Sequence, residues 1–265
     1  NQLFQYALGR RLSLLHNVPL KLDVSQIEDF KIRKYSLRAF NIIEDFATER
    51  EVAPFRNRHK ITNLRTLAGK ILPYYKRDFI EERFFHFDQN IFKTPRKAYL
   101  KGYWQSEKYF EDIEDILRKD LTFSRDPDTK NAEYVQMITA MNSVSIHVRR
   151  ADYIHDPYIN KIYYSCPLDY YRQAAERIVQ RTSNPHFFVF SDDPAWVEKN
   201  LTLDYQTTYV THNGSEQDYE DLRLMSLCRN NIIANSSFSW WGAWLNRLKE
   251  KIVIVPKRWF DSVNN

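Results

Sequence analysis

The sequence predicts an α/β fold built around a parallel sheet, and two observations carry that reading. From residue 143 to 256, short apolar runs alternate with helical patterns four times in succession. Four βα units in a row give parallel strands covered by helices on both faces. Secondly, 43 % hydrophobic and 28 % charged residues over 265 positions form a globular balance with a substantial core. That length suits one large domain or two of ordinary size.

The elements follow in order. Residues 1–17 place Leu3, Phe4, Ala7, Leu8, Leu12 and Leu15 at helical spacing. Residues 18–25 alternate like a strand, and 97–104 read as another. Residues 106–121 read as a helix with Ser106 as N-cap. The polar, turn-rich stretch 122–131 is a candidate linker, which divides the chain into lobes 1–130 and 131–265. Beyond it, strands are expected at 143–148, 186–191, 207–212, 231–236 and 251–256. Helices are expected at 167–182, after Pro194, at 215–229 behind a Ser215/Asp218 cap, and at 237–250.

In parallel sheets ligands bind beyond the carboxyl ends of the strands, so those ends are the candidate site. The first carries His147, Arg149, Arg150 and Asp152. Guanidinium is permanently charged and forks onto phosphate oxygens. The plainer alternative is a salt bridge to Asp152. The second end carries Ser191, Asp192 and Asp193. One aspartate can cap the next helix while the other accepts from paired N–H donors such as those of guanine. A third end crowds Asn235, Ser236, Ser237 and Ser239 onto a helix start, where free N–H groups and a partial positive charge hold phosphate. Of the tryptophans that follow, 240, 241 and 244, at least two have the spacing of core residues, and Gly242 would admit a close neighbour.

Composition narrows the chemistry. There are 5 glycines, against roughly 18 at average usage. Neither G-x-G-x-x-G nor a P-loop is present, so side chains and a helix terminus must hold any phosphate. The three ends together suggest a diphosphate-linked nucleotide. The net charge of +5 suits an anionic ligand. No basic run resembles a nucleic-acid arm. Asp126 and Asp128 have an Asp-x-Asp spacing in the polar stretch, but no metal constellation surrounds them. Cys166 and Cys228 form neither a metal motif nor a disulfide framework, which fits a reducing compartment. No run approaches the roughly 18 apolar residues of a span, and no signal peptide is recognisable. The sequence opens at Asn1, so an upstream segment is expected.

"NQLFQYALGRRL", "GYWQSEKYF", "HVRRADY", "FSDDPAWV" and "NSSFSWWGAWL" resemble the sequence blocks of the bacterial-type α-1,2-fucosyltransferases of glycosyltransferase family 11, in order and across nearly the whole chain. The family's usual Gly-Gly-Leu-Gly before Asn-Gln has no counterpart here, and Ala151 stands where the family has glycine. The resemblance implies a GT-B fold of two Rossmann-like lobes, the first on the acceptor side and the second binding the GDP-sugar. It implies inverting, metal-independent transfer of L-fucose from GDP-β-L-fucose to the 2-hydroxyl of a galactose-containing glycan, with no cofactor and no nucleic acid. By that resemblance Arg149 would bind the β-phosphate and Arg150 would support the loop or the acceptor. His147 and Asp192 would lie near the guanosine, and Asn235, Ser236 and Ser237 would hold the pyrophosphate. Asp152 is the first candidate for the base, ahead of His155 and Asp156, and its alternative role is to aim an arginine. Trp104, Gln105 and Tyr109 would meet the acceptor. The alternatives are a GDP-sugar transferase of other linkage and a non-catalytic nucleotide- or glycan-binding protein. A cytoplasmic enzyme, peripheral at the inner membrane face, fits the charge.

Overall fold

The computed structural model describes residues 1–25, 27, 34–56, 72–150 and 165–259. The chain divides into two compact units, Asn1–Ser124 and Arg125–Asn265, and the division falls inside the polar stretch 122–131.

In the first unit, helix α1 (Gln2–His16) buries Leu3, Phe4, Ala7, Leu8 and Leu12 and ends at Asn17, which takes the left-handed conformation at φ 52°. Helix α2 spans Glu49–Arg56. Strands β1 (Phe79–Glu81) and β2 (Tyr99–Lys101) pair in parallel, Phe79 with Tyr99 and Glu81 with Lys101. The strand expected at 18–25 is reduced to one parallel bridge between Leu22 and Phe46. The helix expected at 106–121 is also broken. Two 3₁₀ turns, Glu107–Tyr109 and Glu111–Ile113, precede helix α3 (Glu114–Asp120), and Ser106 makes no side-chain cap. The adjacent rings of Tyr109 and Phe110, at the junction of the two turns, are both buried.

The second unit opens with helix α4 (Thr129–Ala140), which lies partly inside the expected linker; the Asp128 carboxylate caps it by accepting from the Asn131 N–H at 2.8 Å. Strand β3 (Asn142–Val148) leads to helix α5 (Leu168–Val179), strand β4 (Pro185–Ser191) and helix α6 (Pro194–Asn200). Strand β5 (Thr207–Tyr209), helix α7 (Asp218–Leu227), strand β6 (Asn230–Ile232), helix α8 (Ser237–Leu245) and strand β7 (Val253–Ile254) complete it. The expected Ser215/Asp218 cap does not form; α7 starts behind Gln217, whose side chain does not cap it.

The sheet runs β5-β4-β3-β6-β7, all parallel. This is a Rossmann-like order that grows outward in both directions from β3. Strand β3 is buried along both faces. Its apolar residues Val144, Ile146 and Val148 pack with Tyr171, Ala174 and Ile178 of α5 and Val197 of α6. Its polar residues Ser143, Ser145 and His147 point to the other face and are buried too.

Burial of that polar face calls for partners, and Asn231 supplies the one for Ser145. Its Nδ2 donates to Ser145 Oγ and to the Met225 carbonyl, both at 2.8 Å, while its Oδ1 accepts from Asn246 Nδ2 at 2.8 Å. One side chain thus ties β3, β6, α7 and the chain beyond α8. Gly242 in α8 lies against Met225: a Cβ there would sit 3.2 Å from the Met225 Cβ. Asn231→Ala would strand several buried polar groups, at about 1–3 kcal/mol each. The expected outcome is a fall in urea midpoint equivalent to at least about 2 kcal/mol with an unchanged m-value; an unaltered midpoint would show that the network holds nothing together.

Candidate active site

Sheet order selects one place. Chain progression reverses between β3 and β6, and in open α/β sheets ligands bind at that switch point, beyond the carboxyl ends. There the structure gathers residues from three neighbouring strands: Arg149 and Arg150 after β3, Asp192 and Asp193 after β4, and Asn235, Ser236 and Ser237 between β6 and α8.

The β3–β4 register brings the charges together, since Val148 pairs with Ser191. The next residues on each strand are then arginines opposite aspartates. Asp192 Oδ2 forms an ion pair with Arg149 Nε at 3.2 Å, and its Oδ1 accepts the backbone N–H of Arg150 at 2.9 Å. Asp193 Oδ2 accepts from Arg150 Nε at 3.2 Å, and its Oδ1 caps α6 through the Trp196 N–H at 3.3 Å. The Arg150 guanidinium lies over the Trp196 ring, 3.7 Å from its centroid. Each arginine is therefore held by a carboxylate on the adjacent strand, and Arg150 by an indole as well. The sequence neighbour Asp152, with His155 and Asp156, lies outside the described residues.

At the third strand end, Ser236 caps α8 by accepting from the Phe238 N–H at 3.3 Å. Buried Ser239 donates instead to the carbonyls of Ala234 and Ser236. Asn235 is buried; its amide donates to the Trp259 carbonyl at 2.9 Å and its Oδ1 accepts from the Cys166 thiol at 3.5 Å. Trp241 and Trp244 are buried and Trp240 is half-buried, with successive rings edge-on at 5.0 Å. The first turn of α8 thus offers its N–H groups at the switch point.

His147 links two of these ends. It is buried within β3, with its ring 5.4 Å from that of Phe238 on α8. Desolvation, with the nearby Arg149 charge as a second cause, lowers its pKa to about 3. The imidazole is therefore neutral at neutral pH. Among the described residues its Nδ1 has no partner.

The acceptor candidates lie in the first unit. Trp104 and Tyr109 are only 4 % and 3 % exposed, so their rings are interior, while Gln105 is exposed. Trp104 and Tyr109 line one recess together with Glu82, Phe84 and Asp88. Asp128 is the α4 cap. Among the described residues no group of three His, Cys, Asp or Glu is placed to hold a metal ion. Both cysteines are buried and free, and no helix among those residues is long and apolar enough to cross a membrane. Sequence reading missed Trp196, Phe238 and Cys166 as parts of the site. Trp196 had a usable signal, three positions after the capping Asp193.

An α/β fold with fixed cations and a helix start at its switch point suits an anionic ligand there. The Glycosyl transferase family 11 model matches residues 25–264. The chain belongs to glycosyl transferase family 11 and is a glycosyltransferase. It is 35 % identical to the O-antigen biosynthesis glycosyltransferase WbnK of Escherichia coli, covering 100 % of this chain and 93 % of the relative. It is 33 % identical to an alpha-1,2-colitosyltransferase of Escherichia coli, over 98 % and 89 %. It is 26 % identical to the galactoside 2-alpha-L-fucosyltransferase Sec1 of Mus musculus, over 65 % and 47 %. The fold is of the GT-B type. A solved structure of a mutant of Arabidopsis thaliana FUT1 in complex with GDP shares it at TM-score 0.53 and 10 % identity, covering 95 % of this chain and 67 % of that one.

Neutral burial of His147 has a pH consequence. Its folded pKa lies below the unfolded value of about 6.5, so the unfolded chain takes up a proton that the folded chain refuses. Stability from this residue is full above about pH 6.5 and is lost as pH falls towards 3. Replacing His147 by Gln should flatten that part of the melting-temperature profile between pH 6.5 and 4, whereas a parallel slope in both proteins would remove His147 as the cause.

Proposed function

We propose that the chain transfers L-fucose from GDP-β-L-fucose to the 2-hydroxyl of a galactoside, with inversion and without a metal. The observation that carries this reading is the pair of arginines held at the end of β3, beside the N-terminus of α8. As the glycosidic bond to GDP breaks, C1 of the sugar becomes oxocarbenium-like and negative charge grows on the β-phosphate. Preorganised donors stabilise such a charge because they need no reorganisation when it appears. In this mechanism Arg149 binds the β-phosphate, the N–H groups of α8 with Ser236 and Ser237 hold the pyrophosphate, and neutral His147 and Asn235 border the nucleotide. Asp192 serves by aiming Arg149 and the Arg150 backbone. The acceptor hydroxyl attacks from the opposite face, and Asp152 takes its proton.

The greater identity to an alpha-1,2-colitosyltransferase favours one second reading, in which linkage is the same but the sugar is colitose. Incubation with GDP-fucose and with GDP-colitose, each offered to a panel of β-galactosides, separates the two when product linkage is read by NMR. An α-1,2-fucosyl product supports the first reading, and GDP release without any glycosidic product overturns both.

Arg149→Ala should leave the fold intact, since the arginine works at a ligand and not in the core. It should lower kcat by about 10²–10³, the usual loss for one donor to a developing anion. Near-unchanged turnover would overturn the diphosphate clamp.

A further inference from the structure

Glu82 and Tyr103 lie at the carboxyl ends of β1 and β2 in the first unit. The two strands end in register, with Glu81 beside Lys101, their side chains 2.9 Å apart, and the Glu82 N–H donating to the Lys101 carbonyl at 2.9 Å. Both connecting turns therefore leave the same edge of the sheet. Among the described residues the exposed large apolar side chains include three aromatics: Phe84, Phe85 and Tyr103, at 47 %, 77 % and 50 %. All three lie on these two turns.

The second turn is built against resistance. Trp104 has φ 50°, a left-handed conformation that side chains other than glycine adopt at a cost. Glu82 holds it there: Oε2 accepts the Tyr103 N–H at 2.7 Å and Oε1 accepts the Trp104 N–H at 2.9 Å. Gly102 makes room for this, because a Cβ on it would lie 2.4 Å from the Glu82 Cβ. From α1, Gln5 Nε2 donates to the Gly102 carbonyl at 2.8 Å. With Trp104 turned inward and its neighbour pinned at the backbone, the ring of Tyr103 is half exposed.

We infer that this edge is the sugar-binding surface for the acceptor: Tyr103 stacks on the C–H face of the acceptor galactoside, Phe84 extends the platform, and Glu82 is the positioning residue that fixes the turn. This rests on the transferase reading above, and it moves the acceptor contact from Trp104, whose ring is interior, to its neighbour. The negative face of an aromatic ring attracts polarised C–H groups, and sugar sites combine such faces with a few placed polar groups. A turn already held in its bound form also spares ordering cost when the acceptor arrives.

The test uses lactose as the probe, in two separate readouts on the full chain. Saturation-transfer NMR with GDP present reads binding, and turnover with GDP-fucose reads KM and kcat. Tyr103→Ala should raise both the lactose dissociation constant and the acceptor KM by about tenfold or more, while the donor KM changes little. Tyr103→Phe should remain close to the unmodified protein, because stacking needs the ring and not the hydroxyl. Glu82→Ala should act in the same direction as Tyr103→Ala. Glu82→Gln should recover part of the loss, since one carbonyl can still accept one N–H. If Glu82→Ala fails to fold, the two Tyr103 variants decide the matter. Unchanged lactose binding in Tyr103→Ala, or no lactose binding by the unmodified protein, overturns the assignment. Lactose binding that depends on Tyr103 without any turnover would uphold the surface and sink the transferase reading instead.

Discussion

The second unit's site depends on two guanidinium groups held by two carboxylates across one pair of strands. Each ion pair is partly exposed, with side chains roughly a fifth open to solvent, and such pairs contribute only about 0–1 kcal/mol to stability. Stability is therefore a poor reason for their presence. Their effect is geometric. The in-register pairing of Val148 with Ser191 sets residues 149 and 150 against 192 and 193. Asp193 is itself fixed by capping α6, and Asp192 by the Arg150 backbone. Strand register, helix start and cation position are one construction, and a slip of one residue would set both arginines against different partners.

That construction explains how much could be read beforehand. Four βα repeats made the parallel sheet legible, because covered strands are short apolar runs with polar turns at their ends. The arginines, the aspartates and the serine-rich helix start were legible as strand ends. Their partners were not. Asp152 is the near neighbour in sequence, whereas the carboxylates that hold the arginines stand some forty residues away, and only register brings them close. The first unit was less legible for a related reason. Its regular pieces are short, and its order comes from long-range contacts such as Gln5 to Gly102 and Tyr99 to Asp23, which leave no local period. Trp104 was expected to meet the acceptor, but at a positive φ its ring is inside while that of the preceding Tyr103 is half exposed, and sequence carries no mark of that choice.

Scarcity of glycine has left its signature in both units. A glycine-rich loop wraps phosphate with backbone N–H groups; here the described strand ends present guanidinium, hydroxyl and one helix start instead. Two of the described glycines serve close approach. Gly102 lets a carboxylate reach two backbone donors, and Gly242 lets α7 and α8 touch at Met225. Among the described residues the left-handed positions are occupied by Asn17, Asn184 and Trp104 instead. Asparagine tolerates that conformation with ease, so Trp104 is the costly case, and there a side-chain carboxylate supplies two hydrogen bonds to hold the turn.

The choice of arginine also governs how the site behaves with pH. Guanidinium does not deprotonate in the accessible range. The histidine beside it would add a charge that titrates near neutrality if it were solvated, yet burial in β3 keeps it neutral down to about pH 3. A charged imidazole next to Arg149 would also be repelled by it, which is the second cause of the same shift. The two guanidinium charges are therefore fixed, and the buried imidazole adds none down to about pH 3. On the proposed mechanism, a pH dependence of turnover near neutrality would not come from the guanidinium groups or from His147.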